Sequence, residues 1–288
     1  MSWRTVVVTQ TCKLDYQQNY LVVRGKETLK VHIQEIAVLM IESTAVSLTT
    51  YLLNELIKNK VKIIFCDEKR NPCSELVPYY GSFDTSSKVR NQIRFNKDIK
   101  TEVWTKIVRE KICQQKQLLK DLEKEEYLLL EQYEKNVISG DSTNREGHAA
   151  KVYFNSLFGK SFSRKEDNSI NAALNYGYSL ILSAINREIS ANGYLTQLGL
   201  FHNNVHNPFN LGCDLMEPFR PLVDRAVVDN KFEQFGKEEK QLMLALLSQE
   251  VMIKGKKEKL LNAIKIYVKS IFDVLEEQDE SLISFYEL

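Results

Sequence analysis

The sequence IQEIAVLMIES, residues 33–43, contains an apolar run typical of a β-strand that is covered on both faces. Short segments rich in β-branched or alternating residues precede it, with polar residues or Gly25 between them. They predict strands of an antiparallel sheet at TVVVT (5–9), CKLDY (12–16), NYLVVR (19–24) and TLKVHI (28–33). Because no GxGxxG motif follows any of these segments, the sequence argues against a Rossmann dinucleotide-binding fold.

Beyond the apolar run the chain first alternates between element types and then becomes helical. SLTTYLLNELIK (47–58) places Leu48, Leu52 and Leu56 on one face and predicts a helix, whereas VKIIFCD (61–67) predicts a further strand. NPCSELVPYYGSFD (71–84) contains two prolines and a glycine and ends this region. From residue 86 onward we predict helices over 86–97, 98–120, 121–137, 143–159, 168–191, 214–228, 237–250 and 255–277.

These elements predict an α+β fold, with a small amino-terminal β-strand domain (1–80) followed by a larger all-α domain (86–288). The 288 residues are 43% hydrophobic and 27% charged, a composition that indicates a globular rather than a disordered protein. Five scattered cysteines lack zinc-site spacing, and the sequence shows no signal peptide and no apolar membrane span. We therefore expect reduced thiols, a cytoplasmic protein and no membrane partner.

The net charge of +1 gives no general argument for nucleic-acid binding, but basic residues are locally concentrated. The basic strip, as we call this concentration, consists of Lys88, Arg90, Arg94, Lys97, Lys100, Lys106, Arg109, Lys111, Lys116 and Lys120. Charge alone leaves two interpretations open, namely solvated helix faces or a surface that follows DNA phosphates. On the second interpretation, the candidate DNA-binding residues are Lys88, Arg90, Arg94 and Lys97.

A carboxylate stands in an apolar row of the segment NREGHAAKVYFNSLFG (144–159). Helical spacing puts Glu146, Ala150 and Tyr153 on one face, so Glu146 lies in the row that should face the core. A partly buried carboxylate is costly unless it is paired or bound to a cation. The alternative is a capping role, because Asn144 as N-cap would place Glu146 at the second helical position, where negative charge favours the helix dipole.

The stretch HNNVHNPFNLGCDLMEPFRPLVD (202–224) supplies further metal-capable groups. If a helix begins near Asp214, then Asp214 and Glu217 share a face, and Pro221 should kink that helix or mark a later start. His202 and His206 do not form an HExxH motif, which argues against a two-histidine zinc site, and either could instead form loop hydrogen bonds. One imidazole with two or three carboxylates suits Mg²⁺ or Mn²⁺, ions that serve phosphoryl transfer.

Three blocks of the sequence, in this order, carry a family resemblance: NREGHAAKVYF, INAALNYGYSLILS (170–183) and LGLFHNNVHNPFNLGCDLMEPFRPLVD. Together they resemble the integrase of CRISPR spacer acquisition, the universal metal-dependent endonuclease of CRISPR adaptation. The likeness covers essentially the whole chain, including a β-strand domain ahead of a helical one. The compact length and the second and third blocks resemble the form found in type II-A systems.

The resemblance implies three metal ligands, which are also the expected catalytic residues. The family's ligands are a Glu in the EG-x-AA-x-x-YF helix, a His that closes an LG-x-x-H turn, and an acidic residue in the DL-x-E helix. Here they correspond to Glu146, His202 and Glu217. Asp214 takes the accessory acidic position, and the pattern favours His202 over His206, whose role it leaves open.

In the middle block, Asn171, Asn175 and Tyr178 match a family pattern that lies beside the site, and we expect them to be supporting residues rather than ligands. The resemblance also implies the reaction. The 3′-hydroxyl of a short captured DNA attacks a phosphodiester at the border of a CRISPR repeat, in a transesterification that Mg²⁺ or Mn²⁺ assists. Hydrolysis of DNA results when water replaces that hydroxyl.

The implied assembly is a homodimer formed through the β-strand domains, with two such dimers flanking a dimer of a small second adaptation protein in a heterohexamer. DNA is the implied partner and substrate, as captured spacer precursor and as CRISPR repeat. A type II effector nuclease and a DNA-end-binding accessory protein are further partners expected of this form.

Two other function classes stay open beside the integrase. One is a DNA-binding scaffold whose acidic cluster is structural, and the other is a metallohydrolase for a small phosphorylated substrate. The length of the basic strip argues against the second, because a small substrate does not need so long a surface.

Overall fold

The computed structural model describes residues 4–68, 70–76, 78 and 82–287. Its amino-terminal region contains β1 (Arg4–Val8), β2 (Cys12–Gln17), β3 (Tyr20–Arg24), β4 (Thr28–His32), β5 (Ile36–Ile41), β6 (Val46–Leu48), α1 (Thr50–Lys58), β7 (Lys62–Cys66) and β8 (Pro72–Leu76). Two sheets result, with the strand orders β4-β3-β2-β6 and β1-β5-β7-β8. The predicted strands are therefore present, but they belong to two sheets.

The pairing of these strands differs from the prediction of one antiparallel sheet. Strands β2, β3 and β4 are antiparallel as predicted, whereas β1 pairs in parallel with β5 in the other sheet. The helix predicted from residue 47 begins only at Thr50, because residues 46–48 pair in parallel with β2. The proline-containing stretch after residue 71 includes β8, antiparallel to β7, with Pro72 at the strand start, where a missing N–H is tolerated.

The apolar run at β5 lies between two hydrophobic cores, and all six of its residues are buried, as predicted. Leu39 and Ile41 join a cluster that includes Leu14 of β2, in the other sheet, and Leu52 of α1. Met40 joins a larger cluster that continues through the helical region. Alternate side chains of one strand therefore connect the sheets to the helices.

The helical region contains α2 (Thr85–Arg94), α3 (Lys97–Asp121), α4 (Tyr127–Lys135), α5 (Arg145–Phe158), α6 (Ser169–Ala191), α7 (Asn210–Met216), α8 (Arg220–Asn230), α9 (Lys237–Ala245), β9 (Glu250–Ile253), β10 (Lys256–Lys259), α10 (Leu260–Glu277) and β11 (Tyr286–Glu287). The α+β class, with strands first and a mostly helical region after them, is as predicted. A small sheet of order β10-β9-β11 was not predicted, and the helix expected from residue 255 begins at Leu260.

The helix predicted over 214–228 is interrupted. A single turn of 3-10 helix at Glu217–Phe219 separates α7 from α8. Pro221 lies in the first turn of α8, where the missing N–H removes no helical hydrogen bond. Helix α8 therefore starts just before Pro221, which is the later start that this proline indicated.

Helix α3 organises the helical region. It has 25 residues and packs against α4, α5, α8 and α10. The division into domains at residues 1–80 and 86–288 stays a prediction, since a single hydrophobic cluster includes side chains from β5, β7 and α3. Residues 1–3, 69, 77, 79–81 and 288, which include part of the predicted closing stretch, lie outside the described residues.

Candidate active site

The amino terminus of α5 is capped without using the Glu146 side chain. Asn144 is the N-cap, as predicted, and its side-chain oxygen accepts a hydrogen bond from the Gly147 N–H (3.3 Å). The Asp141 carboxylate accepts from the N–H groups of Arg145 (2.7 Å) and Glu146 (3.0 Å). Glu146 occupies the second helical position, as the capping interpretation predicted, but the hydrogen bonds of the first turn come from Asn144 and Asp141 and not from its carboxylate.

That carboxylate instead shares a cation with Glu217. Lys111 of α3 donates from Nζ to Oε1 of Glu146 (2.5 Å) and to Oε2 of Glu217. The Glu146 side chain is 25% exposed and that of Glu217 is 4% exposed, so one carboxylate faces the surface and the other is buried. Two carboxylates from different helical segments therefore meet around one positive charge.

Arg220 adds a second cation on the far side of Glu217. Its Nε donates to Oε1 of Glu217 (2.8 Å). Burial alone would raise the pKa of Glu217, but Lys111 and Arg220 outweigh this effect and lower that pKa to about 2. Burial would lower the pKa of Lys111, yet Glu217 and Glu146 together raise it. Glu217 is therefore ionised and Lys111 is protonated at neutral pH.

Asp214 organises the turn that carries His202. Its buried carboxylate accepts hydrogen bonds from the backbone N–H groups of Leu200 (2.6 Å), Phe201 (3.1 Å) and His202 (3.1 Å). It also accepts from Nδ1 of the His202 ring (2.6 Å). That bond to Asp214 raises the pKa of His202, against a smaller opposing effect of burial. Asp214 thus acts on the turn and on the ring, not on Lys111.

A glycine makes this turn possible. A Cβ atom at Gly199 would lie 2.3 Å from the carbonyl oxygen of His202 and 2.8 Å from Oδ2 of Asp214. The LG-x-x-H spacing therefore has a steric reason, since any side chain at residue 199 would push the turn away from the carboxylate.

Asn210 holds the rest of the loop between His202 and α7. Its side-chain oxygen accepts from the Asn204 N–H (3.1 Å), and its amide donates to the carbonyl oxygens of Gln197 (3.1 Å), Asn204 (3.0 Å) and Asn207 (3.1 Å). His206 lies on the outside of this loop and is exposed. The structure thus places His202, and not His206, beside the acidic cluster.

The His202 ring is positioned by aromatic contacts as well. Trp104 of α3 stacks on Phe201 (ring centroids 4.6 Å apart, 3° between planes) and meets His202 edge-on (5.8 Å). Trp104 and Lys111 are seven residues apart and therefore lie on the same face of α3. One helix face thus contacts both the histidine turn and the carboxylate pair.

The three supporting residues of α6 hold an arginine. Oxygens of Asn171 and Asn175 accept hydrogen bonds from the two terminal nitrogens of Arg164. The ring of Tyr178 lies between the guanidinium groups of Arg164 (5.4 Å) and Arg220 (4.6 Å). These residues therefore extend positive charge from Glu217 to the edge of the site, which the sequence did not indicate.

The donor set is suited to a cation, although the side chains are not arranged around a metal ion. Two carboxylates already bind one positive charge, and oxygen ligands with one imidazole match the preferences of Mg²⁺ and Mn²⁺. Within residues 4–287, apart from the undescribed positions, no three His, Cys, Asp or Glu side chains are grouped as an ion would require. An ion at Glu146 and Glu217 therefore needs Lys111 to move.

Comparison with known proteins decides the family. The family model described as CRISPR associated protein Cas1 matches residues 5–245. The chain belongs to the Cas1 family. It is 35% identical over 230 residues to the CRISPR-associated endonuclease Cas1 of Neisseria meningitidis serogroup C, a match that covers 79% of this chain and 76% of the relative.

Solved structures agree in fold with this Cas1-family chain. A casposase bound to its integration product matches with a TM-score of 0.79 at 20% identity, over 98% of this chain and 93% of that one. A Cas6-RT-Cas1–Cas2 complex matches with a TM-score of 0.74 at 14% identity, over 97% of this chain and 36% of that one. At these identities the likeness establishes the fold.

The basic strip of this Cas1-family chain is divided by intramolecular contacts. Five of its members are engaged: Lys88 with Glu276 (2.6 Å), Lys106 with Glu280 (3.4 Å), Lys116 with Glu134 (2.6 Å), Arg109 with the carbonyl of Val137 (2.7 Å), and Lys111 in the carboxylate cluster. The three other candidate DNA contacts, Arg90, Arg94 and Lys97, are exposed. We call these three the outer strip, and they have no ion pair to any residue that the structure describes.

The outer strip adjoins the histidine turn. Gln92 of α2 donates to the carbonyl oxygens of Leu195 (2.9 Å) and Leu198 (3.3 Å), and its own side-chain oxygen accepts from the Leu195 N–H (2.9 Å). Helix α2 is thereby fixed to the segment that leads into Gly199 and His202.

Across the described part of the chain, each helix is too short or too polar to cross a bilayer.

Sequence reasoning missed three residues of this Cas1-family site, namely Lys111, Arg220 and Asn210. Lys111 belongs to the basic strip, yet it is seven residues from the buried Trp104 and is itself only 7% exposed. A lysine within an apolar row of a helix was the available signal, the same signal that identified Glu146. Arg220 lies three residues after Glu217, a spacing that places the two on one helical face.

Proposed function

We propose that this chain is a divalent-metal-dependent DNA integrase and endonuclease of CRISPR adaptation, with Mg²⁺ or Mn²⁺ as its cofactor. The observation that carries this proposal is the pair Glu146 and Glu217, which share one cation beside the turn of His202. The relative in Neisseria meningitidis is named an endonuclease, and the casposase neighbour is bound to an integration product. Both names fit phosphodiester chemistry at such a cluster.

Glu146, Glu217 and His202 are the residues that would hold the ion. When bound, a divalent ion polarises a phosphodiester and stabilises charge on the attacking and leaving oxygens. Asp214 is a positioning residue, because it fixes the ring of His202 through Nδ1 and leaves Nε2 as the nitrogen that can face a ligand. Arg220 and Arg164 place positive charge where a DNA backbone can approach.

The proposed reaction is a transesterification. The 3′-hydroxyl oxygen of the captured DNA forms a bond to a phosphorus at the border of the repeat. The bond between that phosphorus and the 3′-oxygen of the repeat strand breaks, and the released oxygen takes up a proton while the attacking hydroxyl loses one. When water attacks in place of the hydroxyl, the same site hydrolyses DNA.

The proposed partners follow from the family and from the surface. DNA is expected along the outer strip, whose three cations are exposed beside the segment leading to His202. The Cas6-RT-Cas1–Cas2 complex supports the small second adaptation protein as a partner. The same proposal includes a homodimer formed through the β-strand domains and the heterohexamer built from two such dimers. It also includes the type II effector nuclease and the DNA-end-binding protein as partners, and a cytoplasmic location in a prokaryotic cell.

The test is strand transfer with purified protein. A labelled DNA with a free 3′-hydroxyl is incubated with repeat DNA and Mn²⁺, and joined strands are resolved on a denaturing gel. Glu146→Gln and Glu217→Gln should each reduce joining by several orders of magnitude, while Asp229→Asn, an exposed acid elsewhere, should not change it. Unchanged joining by both Gln variants, or equal joining in excess chelator, would refute the proposed function. DNA binding without joining by the wild type would favour the scaffold instead.

A further inference from the structure

The ammonium group of Lys111 lies where the proposed function needs a metal ion. It donates hydrogen bonds to one oxygen of Glu146 and to one oxygen of Glu217. Arg220 donates a hydrogen bond to the second oxygen of Glu217. Three of the four carboxylate oxygens therefore already accept hydrogen bonds from cationic nitrogens. Mg²⁺ and Mn²⁺ bind carboxylate oxygens directly, so neither ion can use both carboxylates while Lys111 stays between them.

The charges of the cluster also indicate that a metal ion and Lys111 compete for the two carboxylates. Glu146 and Glu217 carry two negative charges, and Lys111 and Arg220 carry two positive charges, so these four groups are neutral together. Glu217, Lys111 and Arg220 are largely removed from water, which makes unbalanced charge costly there. A divalent ion would add two positive charges, of which the carboxylate of Asp214, hydrogen-bonded to the His202 ring, balances one. One DNA phosphodiester supplies the remaining negative charge.

We propose that Lys111 is a built-in counter-ion that occupies the metal position until DNA arrives, so that metal binding and DNA binding require each other. This inference rests on the proposed function, because it concerns the ion that function needs. Without DNA, a divalent ion must displace the ammonium from both of the carboxylates that it contacts. With DNA, the displaced ammonium and the ion share a phosphate between them.

The carboxylate pair could instead be structural, with Lys111 a permanent ion-pair partner. The two possibilities differ in a measurable way. A permanent partner stabilises the fold, and its removal should lower both the stability of the protein and the metal affinity of the site. A displaceable counter-ion competes with the metal, so its removal strengthens metal binding in the absence of DNA.

The experiment measures Mn²⁺ affinity by titration calorimetry, with and without a short duplex DNA that has free 3′-hydroxyl ends. The variants are Lys111→Gln, Lys111→Arg and, as a matched control on the same helix, Lys116→Gln, which breaks the ion pair to Glu134 instead. In the wild type, DNA should tighten Mn²⁺ binding by at least about tenfold, and Mn²⁺ should tighten DNA binding by the same factor.

Lys111→Gln should bind Mn²⁺ without DNA at least about tenfold more tightly than the wild type, and its gain on adding DNA should shrink correspondingly. Lys111→Arg retains the cation and should bind no more tightly than the wild type, and Lys116→Gln should match the wild type. A folded Lys111→Gln with unchanged or weaker Mn²⁺ binding overturns the inference.

If Lys111→Gln does not fold, the Mn²⁺ affinities of the wild type and of Lys111→Arg still test the inference. Wild-type Mn²⁺ affinity that is the same with and without DNA overturns the inference, and so does tighter Mn²⁺ binding by Lys111→Arg. Failure of the proposed function gives a different result, since Glu146→Gln and Glu217→Gln would then leave Mn²⁺ binding as it is in the wild type.

Discussion

Replacing Asp214 by Asn should destabilise the fold because it disrupts the turn of His202. Asp214 accepts four hydrogen bonds, three from backbone N–H groups and one from the His202 ring. Asn has one acceptor oxygen, and its amide group is a donor that would face other donors. At least one partly buried N–H of the turn therefore loses its partner, and the remaining bonds lose the contribution of a charged acceptor.

The expected loss follows from these counts. An unsatisfied buried donor costs about 1–3 kcal/mol, and loss of charge on the surviving bonds adds to it, so we expect about 2–4 kcal/mol in total. For a chain of 288 residues the entropy of unfolding is about 0.6 kcal/mol/K, so that loss corresponds to a melting temperature lower by about 3–7 °C. The side chain of Asp214 is completely buried, so no solvent screening reduces the effect.

The assay is thermal unfolding followed by circular dichroism, with urea unfolding as a second measurement. Asp229→Asn is the matched control, since Asp229 is exposed and its change should stay within about 0.5 kcal/mol. His202→Ala removes only one of the four bonds and should cost less than Asp214→Asn. If Asp214→Asn melts with the wild type yet loses Mn²⁺ affinity, Asp214 is a metal ligand and our account of the turn is wrong.

Three further predictions concern activity, DNA and pH. His202→Ala should reduce strand transfer by orders of magnitude, whereas His206→Ala, which changes an exposed residue, should keep most of the activity. The reverse ranking of the two variants at saturating Mn²⁺ would show that His206 is the metal ligand. Charge reversal of the outer strip should lower the salt dependence of duplex binding by ~0.9 per lost phosphate contact, whereas reversal of three exposed lysines on the hairpin of β9 and β10 should not. That control set is Lys254, Lys256 and Lys257. Burial raises the pKa of Asp224 to about 6, against ~3.9 when unfolded, so its ionised form opposes folding. Its contribution to the free energy of unfolding should therefore fall as pH rises from about 4 to about 6, and Asp224→Asn should remove this decline in urea unfolding.

Local patterns in the sequence predicted much of the fold. The apolar run of β5 and the periodicity of α3, α5 and α6 are properties of consecutive residues, and these elements lie within a few residues of their predicted limits. Strand pairing is not local, and for that reason the parallel partner of β1 and the division into two sheets were not predicted. The hairpin of β9 and β10 was predicted partly as helix, because KKEK has no apolar alternation that would mark a strand.

The candidate site was predictable to a similar extent. Helical spacing identified Glu146 as a carboxylate in a core-facing row, and the family resemblance supplied His202 and Glu217. The partners of these residues come from far away in the chain, since Lys111 is 35 residues from Glu146 and 106 from Glu217. A sequence shows that a lysine is present but not which carboxylates its ammonium will reach. The roles of Asp214 and Asn210 likewise became apparent only from the backbone groups they bind.

The position of the bound ion distinguishes a displaceable Lys111 from a permanent ion-pair partner. Crystals of the protein with duplex DNA and Mn²⁺ would locate the ion by its anomalous scattering. We predict one Mn²⁺ with oxygens of Glu146 and Glu217 as ligands at ~2.0–2.2 Å, Nε2 of His202 completing the protein ligands, and the Lys111 ammonium no longer between the two carboxylates. An ion bound elsewhere, or Lys111 still bridging Glu146 and Glu217 in a complex that joins DNA strands, would contradict the account.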